Sequence, residues 1–254
     1  MGKIIHKITD TVRTVCGFQD RIQPTSAIIV ASGNSTRMGG GVSKQMIMLD
    51  NIPVIVRTMM AFDECEYISE IVVVARPEEF DTYKEFQKKY KFKKFTRLVS
   101  GGATRQESVK NGFSAIDKES KFVAIHDGAR CLITPSQIES VCAAAYKVGG
   151  ATAATRAIDS IKLSNGKNKL ISGSANRNHV WLAQTPQVFK VETYELALKK
   201  AEMEQLEVTD DNSLVEALGA RVQLVECGRN NLKITTREDL PIALAILKSR
   251  EETV

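Results

Sequence analysis

The sequence contains no hydrophobic run that approaches the roughly 18 apolar residues of a membrane-spanning helix. Its N-terminal residues also lack the apolar core and cleavage site of a signal peptide. It holds no Cys-x-x-Cys pair, no internal repeat and no low-complexity segment, and its five cysteines are odd in number. Disulfide frameworks favour small secreted chains with even cysteine counts. We therefore predict reduced, mostly buried thiols in a cytoplasmic protein that does not bind a membrane.

What the chain does contain is ordinary for a globular protein. Of its 254 residues, 43% are apolar and 26% are charged, which excludes collagen-like, coiled-coil and wholly disordered chains. The net charge of +5 is uneven, because residues 82–97 hold seven Lys or Arg against one Glu and residues 156–180 hold five against one Asp. Two basic segments on an otherwise acidic chain indicate an anionic partner, whether nucleic acid, membrane or phosphorylated metabolite.

Short apolar runs alternate along the chain with stripes of helical period. We predict buried strands at 26–30, 70–75, 121–126, 150–155 and 221–225. Helices are predicted near 44–63, 78–90, 105–117, 135–148, 191–205 and 237–250. Apolar strands separated by helices predict an α/β fold with a mainly parallel sheet and helices on both faces.

Two segments depart from this alternation. Residues 156–180 are polar, basic and rich in Gly, Asn and Ser, which predicts a hairpin or arm projecting from the sheet. Residues 1–24 carry apolar side chains at near-helical spacing and a net charge of only +2, so a helical extension is favoured over a membrane anchor. We therefore divide the chain into an extension, 1–24, and a single domain, 25–254.

The basic run at 82–97 is the strongest argument for nucleic acid, because aromatic residues alternate with its lysines. However, Tyr83, Phe86 and Tyr90 are spaced i, i+3 and i+7. This spacing predicts the buried stripe of an amphipathic helix, with the lysines on its solvated face.

The most informative stretch is the loop after the first predicted strand, residues 31–44, which holds four glycines between 33 and 41. Glycines let backbone N–H groups approach an anion, and ligands of open α/β sheets bind beyond the strand ends. The spacing matches neither a Walker A motif nor a dinucleotide fingerprint. Two cations in the same loop, Arg37 and Lys44, suit a triphosphate.

The pattern A-x-G-x(3)-R-M-G-x(4)-K-Q in this loop resembles the signature of the cytidylyltransferases of the non-mevalonate isoprenoid pathway. Further matches follow in order: GGATRQESV at 101–109, HDGAR at 126–130, Arg177-Asn178 with Trp181, QTPQ at 184–187, TDD at 209–211 and NLKIT at 231–235. The resemblance covers about residues 26–248. It implies a Rossmann-like nucleotidyltransferase fold and a homodimer joined through an arm at about 156–180.

The resemblance also implies a reaction and a set of site residues. The family transfers a cytidylyl group from CTP to 2-C-methyl-D-erythritol 4-phosphate, releasing pyrophosphate with Mg²⁺ present. We expect this ion to bind mainly through the CTP phosphates and water, with few protein ligands, and we assign no residue as a metal ligand. Arg37 and Lys44 would stabilise charge at the α-phosphorus, while Arg177 and Lys233 would hold the acceptor phosphate. The expected substrate-binding residues are Ala31, Ser32, Gly33, Gly102, Ala103, Arg105, Ser108, Asp127, Arg130, Ser160, Thr185 and Thr209.

This reaction agrees with the chain's chemistry. The attacking phosphate oxygen is already ionised at neutral pH, so a protein with three histidines and no evident Ser/His/Asp arrangement needs no general base. Three positions depart from the family pattern: Ser43 and Cys131 stand where proline is usual, and Ala103 stands where an acidic residue is often found. None of them removes one of the four cations.

Two alternatives remain open at this point. Ribitol 5-phosphate could be the acceptor on the same scaffold, although the residues around Arg105-x-x-Ser108 and 209–216 look more like the methylerythritol enzymes. A non-catalytic RNA-binding module is the alternative of another class. Retention of Arg37, Lys44, Arg177 and Lys233 argues against it, since a pure binder does not need that set.

Overall fold

The structure is a computed structural model that describes residues 22–33, 43–166 and 168–252. Nearly all of the predicted extension at 1–24 therefore lies outside the described residues. The strands are β1 Thr25–Val30, β2 Met48–Leu49, β3 Ile52–Pro53, β4 Glu70–Ala75, β5 Phe95–Ser100, β6 Phe122–Asp127, β7 Gly150–Arg156, β8 Ile161–Ser164, β9 Ile171–Ala175, β10 Trp181–Lys190 and β11 Gln223–Glu226. The α-helices are α1 Val54–Glu64, α2 Phe80–Tyr90, α3 Arg105–Phe113, α4 Pro135–Val148, α5 Val191–Glu204, α6 Asp211–Ala217 and α7 Asp239–Glu251.

A seven-stranded sheet in the order β11-β7-β10-β6-β1-β4-β5 forms the centre of the domain. Four of its pairings are parallel: β1 with β4, β1 with β6, β4 with β5, and β7 with β11. Only β10 runs antiparallel, between β6 and β7. The predicted mainly parallel sheet is confirmed, and the carboxyl ends of β1, β4, β5 and β6 meet at one edge.

Both faces of this sheet are covered by helices, because consecutive residues of each strand point to opposite sides. Ile29 belongs to a core cluster with Phe62 of α1 and Val141 of α4. The neighbouring Ile28 belongs to a second cluster, with residues of α3, α5 and α6 such as Tyr194. This arrangement confirms the predicted α/β fold.

The basic run forms a helix over only part of its length. In α2, Tyr83 is fully buried, and the rings of Phe86 and Tyr90 pack against the core. This confirms the amphipathic stripe. The helix ends where Lys91 adopts a left-handed conformation with φ 53°, and residues 95–97 belong to β5. The helical interpretation is therefore wrong beyond residue 90.

The predicted helix at 44–63 is also wrong in its first half. Residues 44–46 form a single 3-10 turn, and β2 and β3 then make a small hairpin. Asp50 and Asn51 have positive φ values of 49° and 61°, as a tight two-residue turn requires, and α1 begins only after Pro53. Asp50 and Asn51 favour a tight turn, so a hairpin forms here although the apolar residues around it have helical spacing.

The strand β10 was missed because its sequence contains Pro186, which cannot donate a ladder hydrogen bond. The structure accommodates this proline through a cis Thr185–Pro186 bond and a register shift between Ala183 and Gln187. The strand β10 is therefore a central strand of the sheet although it contains a proline, which is normally found only in edge strands.

The predicted arm is present as an antiparallel pair, β8 and β9, separate from the main sheet. At its base, the Arg156 guanidinium lies 4.6 Å from the centre of the Trp181 ring. Large apolar side chains of the arm are more than half exposed: Ile158, Leu163, Leu170 and Ile171.

Four of the five cysteines fall within the described residues, and each is a buried free thiol, as predicted: Cys65, Cys131, Cys142 and Cys227. Cys16 lies outside the described residues. None of the helices in the described part of the chain is long and apolar enough to cross a membrane.

Candidate active site

A cavity of about 270 Å³ opens at the edge where β1, β5 and β6 end. It is lined by Val30, Ser32, Gly33, Lys44, Gln45, Gly102, Ala103, Thr104, Arg105, Ser108, Asp127, Gly128, Ala129 and Lys233. The cavity therefore lies where an open α/β sheet is expected to bind its ligand.

The wall formed by residues 101–108 is held in shape by Ser108. Its hydroxyl accepts a hydrogen bond from the Gly102 N–H at 3.0 Å and another from the Ser32 hydroxyl at 3.0 Å, and it donates to the Thr104 carbonyl at 2.9 Å. A Cβ on Gly101 would lie 2.3 Å from Cβ of Ser32, so only glycine fits this close approach. The loops that follow β1 and β5 thus form one surface.

Three cationic side chains surround the carboxylate of Asp127. Nζ of Lys233 lies 3.0 Å and Nε of Arg130 lies 3.3 Å from Oδ2, and Nε of Arg105 lies 3.7 Å from Oδ1. Burial raises the pKa of Asp127, but the charges of Lys233, Arg105 and Arg130 outweigh it and hold that pKa well below its usual range. Asp127 is therefore charged at neutral pH and orders the cations around it.

Two hydrogen bonds to backbone carbonyls fix the position of Lys233. Arg130 donates from Nη1 to the Asn231 carbonyl at 2.9 Å, and the Ile234 N–H donates to the Ala129 carbonyl at 2.9 Å. These two bonds hold the segment on either side of Lys233 against the turn that follows β6. The lysine is thereby directed at Asp127.

Arg105 is held on its far side by Asp211, which is not one of the predicted site residues. Its Nη1 lies 2.8 Å from Oδ2 of Asp211, and the other oxygen of Asp211 accepts from the Tyr194 hydroxyl at 2.6 Å. Burial lowers the pKa of Arg105, but Asp211 and Asp127 raise it above its usual value. The Thr209-Asp210-Asp211 match was the signal that pointed to this carboxylate.

A second cavity, of about 170 Å³, adjoins the first. The two share Arg105, Asp127 and Lys233, and the second adds Arg130, Ala183, Gln184, Thr185, Gln187, Thr209 and Asp210. Two neighbouring spaces with cations between them can hold two anions side by side, which is the arrangement a phosphoryl-type transfer needs.

The structure brings most of the predicted site residues together. The first cavity contains Ser32, Gly33, Lys44, Gly102, Ala103, Arg105, Ser108, Asp127 and Lys233, and the second contains Arg130, Thr185 and Thr209. Gln187 was missed as an individual residue, although it lies in a quoted motif. Its side-chain oxygen accepts from the Asp211 N–H at 3.0 Å.

Three of the predicted residues that the structure describes line neither cavity. Ala31 is fully buried, donates its N–H to the Val74 carbonyl at 2.7 Å and lines neither cavity. Ser160 and Arg177 belong to the exposed arm and also line neither cavity. Arg37 lies outside the described residues.

Acidic residues do not form a metal cage in the described ranges, where no group of three or more His, Cys, Asp or Glu could hold an ion. Of the described residues that line the larger cavity, Asp127 is the one carboxylate, and cations surround it. This donor set suits a metal ion that is coordinated by a bound phosphate ligand.

Comparison with known proteins agrees with the geometry. A family model described as IspD, 2-C-methyl-D-erythritol 4-phosphate cytidylyltransferase, matches residues 25–249. A relative of that name from Caldanaerobacter subterraneus subsp. tengcongensis is 42% identical over 224 residues, which cover 88% of this chain and 98% of the relative. Another, from Alkaliphilus oremlandii, is 39% identical over 238 residues, 92% of this chain and 99% of the relative.

A solved structure extends the similarity to the fold. The 4-diphosphocytidyl-2C-methyl-D-erythritol synthase from Anaerococcus prevotii DSM 20548 is 29% identical, with a TM-score of 0.80 over 89% of this chain and 99% of that one. This chain therefore belongs to the 2-C-methyl-D-erythritol 4-phosphate cytidylyltransferase family of nucleotidyltransferases.

Proposed function

We propose that this chain transfers the cytidylyl group of CTP to 2-C-methyl-D-erythritol 4-phosphate, giving 4-diphosphocytidyl-2-C-methyl-D-erythritol and pyrophosphate. The observation that carries the proposal is the pair of adjoining cavities that share Arg105, Asp127 and Lys233. CTP occupies the larger cavity and the acceptor phosphate the smaller one. The shared cations then lie between the two reacting phosphates.

The loop after β5 favours cytosine as the base. The Gly102 N–H is bound by Ser108, and the Ala103 N–H donates to a carboxylate oxygen of Glu107 at 2.7 Å. With these donors engaged inside the protein, the loop offers a base its carbonyl oxygens. Carbonyls accept from the 4-amino group of cytosine, whereas the 4-oxygen of uracil would find no donor there.

The chemical step needs positioning and charge neutralisation. The acceptor phosphate, with a second pKa near 6, is ionised at neutral pH, so its oxygen attacks the α-phosphorus without a base. The new P–O bond forms as the bond to the β-phosphate breaks, and the electron pair leaves with pyrophosphate. Arg37 and Lys44 would stabilise charge at the α-phosphorus, and Lys233 would hold the acceptor.

Mg²⁺ fits this site as a companion of the triphosphate. Because the carboxylate of Asp127 is surrounded by cations, the ion would be held mainly by CTP phosphate oxygens and water. When bound, it would neutralise the triphosphate and favour pyrophosphate departure.

A homodimer would complete the site through the arm. The exposed apolar residues of the arm, such as Leu170 and Ile171, suit burial against a second copy. Arg177 donates to the Ile158 carbonyl at 2.7 Å within its own arm, away from both cavities. We propose that Arg177 and Ser160 act in the site of the partner subunit.

The buried free thiols suit a reducing compartment, so we assign the enzyme to the cytoplasm.

Pyrophosphate release from CTP tests this function, with 2-C-methyl-D-erythritol 4-phosphate and ribitol 5-phosphate supplied in separate reactions containing Mg²⁺. We expect turnover with the first acceptor and little with the second. Turnover with ribitol 5-phosphate alone would overturn the proposed acceptor. Inactivity with both, together with tight binding of RNA, would support the binding-module alternative.

A further inference from the structure

His126 is fully buried at the end of β6, next to Asp127, and lines neither cavity. Its Nε2 lies 3.2 Å from the Arg130 carbonyl, and its Nδ1 lies 3.1 Å from the Thr185 hydroxyl. That hydroxyl also accepts a hydrogen bond from the Asp127 N–H at 3.0 Å. The histidine therefore connects the turn after β6 with β10.

Each proton in this network has one consistent assignment. A carbonyl can only accept, so Nε2 of His126 carries the ring proton and donates it to Arg130. Nδ1 must then accept, and the Thr185 hydroxyl donates to it while accepting from Asp127. Burial lowers the pKa of His126 to about 3, so the ring remains neutral.

The network lies where the strand ladder stops. The last paired residues of β6 and β10 are Ile125 and Gln187. The next residue on β10 is Pro186, which has no N–H to continue the ladder. Beyond that point, the hydrogen bonds of His126 and Thr185 join the two strands in place of backbone pairing.

We propose that His126 is a positioning residue that fixes the walls of the acceptor cavity relative to each other. This inference rests on the proposed function. Asp127, Arg130 and Thr185 all line the smaller cavity, whereas only Asp127 of the three also lines the larger one. Loss of the network should therefore weaken use of the polyol phosphate far more than use of CTP.

Three variants separate the hydrogen bonds from the packing. His126→Phe keeps a ring against Phe62, whose centre lies 4.8 Å away, and removes both hydrogen bonds. His126→Asn retains an amide oxygen that can accept from Thr185, and His126→Gln retains an amide N–H that can reach the Arg130 carbonyl. Ile71→Val, in the core of β4 and outside both cavities, is the control for a general loss of stability.

Steady-state kinetics with each substrate varied in turn provides the test. We expect His126→Phe to raise the acceptor KM about tenfold, the scale of one or two lost hydrogen bonds, and to change the CTP KM less than about twofold. Asn or Gln should restore part of the acceptor KM, and Ile71→Val should change neither constant. A double-mutant cycle of His126→Phe with Thr185→Val should be non-additive in the acceptor KM.

The outcomes distinguish this inference from the function on which it rests. A wild-type protein that releases no pyrophosphate would overturn the proposed function. An active wild type combined with equal rises in both KM values, or with an unchanged acceptor KM, would overturn only the positioning role. If His126→Phe does not fold, the Asn and Gln variants are judged by the same KM comparison.

Discussion

Two parts of the molecule carry cations that the sequence assigns to the active site, and they are built in opposite ways. Around Asp127, cations approach a carboxylate that is only 12% exposed, and bonds to the backbone and to the carboxylate of Asp211 hold them there. On the arm, Arg177 is exposed and bonded to a carbonyl of the same arm. The first group is complete within one chain, and the second is not directed at either cavity.

The difference follows from how each part is supported. Parallel strands end at one edge of a buried sheet, so side chains from distant segments converge there without further ordering. The arm has only two strands and no core of its own, and an isolated hairpin is marginally stable in water. A cation on such an element gains a fixed place only when another surface packs against it. This is why the proposed homodimer assigns Arg177 to the site of the partner subunit.

The largest effect should come from a cation of the cavity. Lys44 lines the larger cavity, so Lys44→Ala should lower kcat by about 100-fold or more, the scale of lost transition-state stabilisation. Arg37→Ala should behave similarly. Pyrophosphate release at saturating CTP measures both. The matched control is Lys88→Ala on the exposed face of α2, which should keep wild-type kinetics. Near-normal turnover of Lys44→Ala would contradict the mechanism.

A smaller loss is expected on the arm. Arg177→Ala should lower kcat/KM for the acceptor by about tenfold, because one charge-assisted contact with the phosphate is lost. In mixed dimers of Arg177→Ala and Lys44→Ala, one of the two sites would contain neither substitution. When the two variants are refolded together in a one-to-one mixture, half of the dimers should be mixed, and each should have one intact site. At subsaturating acceptor, activity should therefore rise to about a quarter of the wild-type value, in addition to the residual activity of the parent dimers. Activity equal to the mean of the two parents would contradict a shared site.

Substitutions in the two parts should also differ in their effect on how the free energy of unfolding depends on pH. His126 has a pKa lowered to about 3 by burial, so the unfolded chain, with a pKa near 6.5, binds more protons between these values. Stability is therefore lost as the pH falls through this window, by about 1 kcal/mol between pH 6 and 5. The lowered pKa of Asp127 adds a further loss at more acidic pH.

Urea unfolding at a series of pH values measures this effect. His126→Phe should flatten the dependence between pH 6 and 5, whereas Lys162→Ala on the arm should leave the slope unchanged. An equal slope in wild type and His126→Phe would show that His126 takes up its proton as readily in the folded chain as in the unfolded one, which would contradict the lowered pKa.

The two parts also differ in how far the sequence predicts them. The parallel sheet follows from local patterns, because strands such as β4 are apolar on both faces. Lys44 and Lys233 were found because motifs mark the loops after strands. Asp211 and His126 act through hydrogen bonds to residues far away in sequence, such as Arg105 and Thr185, and no local pattern encodes those pairings. The sequence likewise does not predict β10, because Pro186 argues against a central strand and only the pairing with the neighbouring strands shows how the proline is accommodated.

The smallest effect is expected at Cys131, which stands beside the active-site turn where the family usually has proline. Burial raises the pKa of its thiol to about 11, and the residue packs in a cluster with Leu49 and Leu132. A protonated, enclosed thiol contributes packing and no chemistry. Cys131→Ala should therefore change kcat and both KM values less than about twofold, while lowering the free energy of unfolding by about 1 kcal/mol through the space it leaves. Steady-state kinetics and urea unfolding measure the two quantities on the same preparation. A tenfold fall in kcat with unchanged stability would mean that the thiol acts on the substrate, and the cation cluster would then not account for the chemistry alone.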